Sequence, residues 1–79
     1  MMEQLDRKAI AERIRTTAQR RWPRRAWLRS FSKATGIPHA ALAMHTTGVR
    51  IPKLLSLIRI ARVLRRSVDW ILTGRSGRG

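Results

Sequence analysis

Cysteine is absent from the 79 residues, which excludes a disulfide framework and any thiolate metal site. Acid is nearly absent. Only Glu3, Asp6, Glu12 and Asp69 carry carboxylates, and none falls between Arg13 and Val68. So few acids, three of them near the N-terminus, cannot build a metal-dependent nuclease centre. No nucleophile with a base partner and no Gly-rich phosphate loop is present either. The chain is therefore expected not to be an enzyme and to need no cofactor and no metal. Long apolar runs are missing too. Leu54-Leu55 and Leu57-Ile58 are interrupted by Ser and Arg, far short of the roughly 20 apolar residues that cross a bilayer. Residues 1–8 are polar and lack the character of a signal peptide. Aromatics are limited to Trp22, Trp27, Phe31 and Trp70.

What is abundant is positive charge. Eighteen Lys and Arg against four acids give a formal net charge of +14. All the bases are Arg except Lys8, Lys33 and Lys53. Such a chain repels itself and is relieved by an anionic partner. Nucleic acid is the commonest such partner and an anionic membrane the second. The guanidinium fork suits a phosphate or a guanine edge, since it offers two parallel hydrogen bonds. With 43% hydrophobic residues the chain is still able to fold, and its length allows one domain.

Periodicity predicts an all-α chain of five helices and no strand. Residues 3–20 carry Leu5, Ala9, Ile14 and Ala18 near one stripe, with bases elsewhere. Pro23 interrupts that helix. The second helix spans 26–35, with Leu28, Phe31 and Thr35 on one face, and Gly36 stops it. Pro38 opens the third, 38–47, and Gly48 closes it. A short basic linker, 49–51, leads to Pro52 and a fourth helix over 52–66. There Leu54, Leu57, Ile58, Ala61 and Leu64 make the apolar face, opposite Arg59, Arg62 and Arg66. Ser67 caps a last helix, 68–73, which Gly74 ends. A single domain over 1–74 with a disordered basic tail, 75–79, is the expected organisation.

Two short helices joined by a tight turn around one Gly make a helix-turn-helix unit, here about 26–47. Phe31 is an apolar anchor, Ser32 is small enough for close helix approach, Gly36 makes the turn, Ile37 lies beneath it, and Leu42 is the core residue of the second helix. The run Phe31-Ser-Lys-Ala-Thr-Gly-Ile-Pro-His-Ala-Ala-Leu, with Gly48-Val-Arg-Ile-Pro, Leu57-Ile-Arg-Ile-Ala-Arg-Val-Leu and Val68-Asp-Trp-Ile-Leu-Thr-Gly, resembles the lambda-repressor/Cro-like helix-turn-helix family. The likeness covers residues 27–74. It departs from the family at Trp27 and Leu28, where Ser, Thr or Gln is usual, and at His45, which replaces an apolar residue. The resemblance implies a five-helix domain that binds operator DNA as a dimer and represses transcription in the cytoplasm, on the nucleoid or in a host cell if phage-encoded.

In that geometry the third helix lies in the major groove. By the resemblance, His39, Ala40 and Met44 take base-contacting places, with Ala43 beside them. His39 offers a hydrogen bond, and Ala40, Ala43 and Met44 offer contact to a thymine methyl. Thr46, Thr47 and Arg50 are expected at phosphates, with Arg29 and Lys33 gripping the backbone from the second helix. Arg24 and Arg25, within the basic run 20–25, suit the same role. Met44 also fits a core or dimer position, and Arg59, Arg62, Arg65 and Arg66 fit a solvated surface. The tryptophans are read first as core, with Trp70 and Ile71 as a dimer seam. His39 and His45 are too far apart along the helix to form a metal pair. The expected partners are double-stranded operator DNA, with half-sites about one turn apart, and a second copy, with no membrane and no small-molecule substrate.

Other classes stay open. The same fold serves as a protein-binding module, such as an antitoxin or a phage antagonist of a host factor, where an acidic surface replaces DNA. Charge alone also fits a non-specific nucleic-acid binder. A membrane-active cationic helix is the weaker fit, because the tryptophans lie outside the first helix.

Overall fold

The computed structural model describes residues 5–75. They form an all-α globule of five helices: α1 (Arg7–Arg21), α2 (Trp27–Thr35), α3 (His39–Thr47), α4 (Leu54–Leu64) and α5 (Val68–Thr73). None is long and apolar enough to cross a membrane.

Helix α1 is the spine. Asp6 caps it, its carboxylate accepting from the backbone N–H of Lys8 and Ala9 at 3.0 and 3.2 Å. That cap sets the start at Arg7 rather than residue 3, and the expected first residues, 3 and 4, lie outside the described range. Ile10, Ala11, Ile14 and Ala18 form the buried stripe. Leu5, assigned to it from spacing, precedes the cap and is 47% exposed. Pro23 then follows the last turn, and Trp22 turns back so that its ring lies 5.7 Å from that of Phe31.

Every helix supplies the core with a fully buried residue. Ile10 and Ile14 come from α1, Phe31 from α2, Leu42 from α3, Ile60 from α4 and Ile71 from α5. Each such side chain removes about 1.5–3 kcal/mol worth of apolar surface from water. α1 packs on all four other helices, whereas α5 touches α1 and α4 but neither α2 nor α3.

Helix α4 departs from its expected phase and ends. It buries Leu57, Ile60, Ala61 and Leu64, a clean i, i+3, i+4, i+7 face. Leu54 belongs one turn before that face but is 70% exposed. α4 does not touch α3, which leaves its first turn uncovered. The helix stops at Leu64 because Arg65 adopts a left-handed conformation (φ 58°) and Arg66 N–H donates to the Ala61 carbonyl at 3.1 Å. Helix α5 is short and held at both ends. Ser67 Oγ accepts from Trp70 N–H at 3.0 Å, and Arg13 donates to the Ile71 carbonyl at 2.8 Å. A cation at a helix C-terminus is favoured by the helix dipole.

Candidate nucleic-acid interface

The turn between α2 and α3 is three residues long, Gly36, Ile37 and Pro38, and its polar groups are spent on itself. Gly36 (φ 74°) donates its N–H to the Ser32 carbonyl at 2.9 Å. Ser32 Oγ donates to the Ile37 carbonyl at 2.6 Å. Thr35 Oγ1 donates to the Phe31 carbonyl at 2.9 Å and accepts from Ile37 N–H at 3.2 Å. Ile37 itself is 3% exposed. A turn satisfied in this way fixes the direction in which α3 leaves it.

Helix α3 then divides sharply. Leu42, His45 and Thr46 are buried. His39, Ala40 and Thr47 are exposed, with Ala43 and Met44 half-buried beside them. These five positions repeat as i, i+1, i+4, i+5, i+8, one continuous stripe. The expected base-contacting set, His39, Ala40, Ala43 and Met44, thus shares one outward face. Thr47 lies at its far end, its hydroxyl donating to the Ala43 carbonyl at 2.8 Å.

Thr46 does not belong with them. It is 2% exposed, and its hydroxyl donates to the Leu42 carbonyl at 2.8 Å. A phosphate oxygen cannot reach a group enclosed between helices, so the phosphate role expected for Thr46 is withdrawn. His45 is buried for a constructive reason. Its Nδ1 lies 3.1 Å from the Arg50 carbonyl. The carbonyl can only accept, so Nδ1 carries the hydrogen, and the imidazole ties the end of α3 to the linker. Arg50 is exposed beside that tie.

The basic groups flank the stripe unequally. Arg25, Ala26, Leu28, Arg29 and His39 line one shallow groove between the starts of α2 and α3. Arg25, in the turn before α2, and Arg29, in its first turn, are both exposed, and with His39 they bring two guanidinium groups and an imidazole to one groove. Arg24 is exposed in the preceding loop and Lys33 in the last turn of α2, but neither lines the groove. Thr47 and Arg50 sit at the opposite end of α3. The expected phosphate-binding set is therefore split into two clusters with the stripe between them.

Backbone donors add to the charge. No side chain closes the N-terminus of α2, α3 or α4, where Ala26, Pro38 and Lys53 stand, and no acid lies in their first turns. At α2 the first N–H, of Trp27, donates to the Arg24 carbonyl at 3.1 Å; N–H groups left without a partner at a helix start attract anions. The signal was present in the sequence, as the lack of Ser, Thr, Asn or Asp at 26, 38 and 53, yet periodicity alone did not draw attention to it.

The expected dimer seam divides. Trp70 is half-buried, and the Arg66 guanidinium lies 3.9 Å from its ring centroid. Ile71 is fully buried within its own chain. A side chain enclosed by its own core has no surface to offer a second copy, so Ile71 is a core residue and not a seam residue.

Comparison with protein-family models, with curated proteins and with solved structures finds no match. The chain is thus characterised by its architecture, a small five-helix all-α domain, and by the chemistry of its surface.

Proposed function

We propose that this protein binds double-stranded DNA with sequence preference through α2 and α3, and that it acts as a transcriptional repressor. The observation that carries the reading is the outward stripe of α3 beside the groove where Arg25, Arg29 and His39 converge. A major groove admits an α-helix, and phosphate groups set the register of such a helix while base edges set its preference. The resemblance to the lambda-repressor/Cro-like family supports the same placement. His39 would meet a base or an adjacent phosphate, Ala40, Ala43 and Met44 would meet thymine methyl groups, and Arg25, Arg29, Thr47 and Arg50 would hold the backbone on either side.

One feature favours a second reading. Three of the four base-facing positions are apolar, which also suits a protein partner carrying an acidic rim. Selection of bound duplexes from a random DNA library at near-physiological salt separates the two. An enriched motif supports the regulator, and a near-palindrome would place two copies on each site. Strong binding without enrichment overturns sequence preference and leaves a general nucleic-acid binder. Weak binding throughout turns the search to protein partners.

A further inference from the structure

A second basic concavity lies where α5 meets α1. Glu12, Arg13, Thr17 and Arg20 line it from α1, and Arg66 and Trp70 line it from the other side. α5 touches neither α2 nor α3, and no residue that lines this groove lines the one beside His39. Three guanidiniums face a single carboxylate there. Arg13 is fixed by its bond to the Ile71 carbonyl. The Arg66 guanidinium lies over the Trp70 ring, 3.9 Å from its centroid, a contact that orders the cation without neutralising it. Arg20 is exposed in the last turn of α1. The groove is therefore ordered and positive before anything binds.

A second copy of the chain is a poor occupant, because it would press the same three guanidiniums against these. A phosphate backbone is the complementary one. The guanidinium fork takes phosphate oxygens in pairs, and the Thr17 hydroxyl adds a donor. We propose that this groove grips the phosphate backbone of a second DNA duplex, so that one chain bridges two duplexes. The proposal rests on the α2–α3 reading for the first duplex only.

The test uses the full chain with an excess of a short duplex, about one and a half turns long. Sedimentation equilibrium gives the stoichiometry. A bead-bound duplex capturing a free labelled duplex reports bridging. The expected complex holds one chain and two duplexes. Arg20→Gln with Arg66→Gln should cut capture about tenfold or more and flatten the salt dependence of the second step by roughly two units. Affinity for the first duplex should stay within about threefold. Arg20→Gln alone leaves the Arg66–Trp70 contact intact and should show part of the same loss. It keeps the test decisive if the double variant unfolds. A wild-type complex of one chain and one duplex, with no capture, would overturn the proposal and leave the α2–α3 reading standing. Two chains with two duplexes would make the groove a seam between copies. Equal loss of both steps in Arg20→Gln would mean one continuous surface, and the second site would fall. No binding to any duplex would remove both readings together.

Discussion

The five helix starts fall into two groups. α1 and α5 are closed by side chains, Asp6 and Ser67, whose oxygens bond the first-turn N–H groups. α2, α3 and α4 begin at Ala26, Pro38 and Lys53 with no such bond. A missing cap forgoes about 1 kcal/mol of stability. None of these three starts has a side-chain cap or an acid in its first turn, which leaves room for an anion supplied from outside. The two helices of the candidate interface, α2 and α3, are both among those left open.

The largest effect expected from this division is on the closed side. Ile71→Ala should destabilise the protein by about 2–5 kcal/mol, as burial in a packed core dictates. Urea denaturation at two protein concentrations measures it. The loss should be the same at both. A loss that shrinks at high concentration would return Ile71 to an interface between copies.

On the open side, Arg25→Ala and Arg29→Ala should each weaken DNA binding about tenfold and reduce the salt slope by about one unit. Thermal stability should scarcely change, since both side chains are exposed. Fluorescence anisotropy over a salt series reads this directly. Unchanged slopes would remove the groove by His39 from the interface.

The division itself is broken by exchanging caps. Lys53 already has the extended conformation of a capping residue (φ −70°, ψ 163°), much like Ser67 (φ −73°, ψ 152°). Lys53→Asp should therefore close α4 and add about 1 kcal/mol of stability, while reducing DNA affinity. Asp6→Ala should cost about 1 kcal/mol and leave DNA affinity unchanged. If Lys53→Asp gained stability and bound DNA as tightly as before, the open start of α4 would have no part in binding.

Much of this architecture is legible in the sequence, for reasons that also mark where legibility ends. Gly36 and Gly48 announce helix stops because their backbones are left-handed (φ 74° and 86°) and glycine takes that form without strain. The five helices, the Phe31–Leu42 core and the outward His39–Ala40 edge follow from such signals and from spacing. Phase is harder. In α4, apolar residues at 54, 55, 57, 58, 60, 61 and 64 fit more than one face, and only the packing against α1 and α2 selects Ile60 over Leu54. Thr46 and Thr47 both bond back to their own helix, so nothing local distinguishes them, and only the packing of whole helices buries Thr46. Trp70 and Ile71 are likewise neighbours whose roles are assigned by what lies beneath α5. The groove beside His39 was legible residue by residue. Its convergence was not, because it depends on how two helices meet.

The smallest expected effect concerns the one helix stop the sequence did not announce. Arg65 is the single non-glycine with positive φ among the described residues (58°). A side chain in that conformation crowds its own backbone by about 1–2 kcal/mol. Arg65→Gly relieves the crowding but gives the unfolded chain more freedom, worth roughly 0.5–1 kcal/mol in the opposite direction. The net expectation is a gain of about 0.5 kcal/mol, read as a small rise in melting temperature. Arg65→Asn, which tolerates the left-handed form and adds less freedom, should gain a similar amount. Arg65 lies on neither groove lining, so duplex affinity should fall only by the loss of one general positive charge. A drop in melting temperature for both variants would show that the Arg65 stem contributes packing that outweighs the strain, and that α4 ends where it does because of its surroundings and not in spite of its last residue.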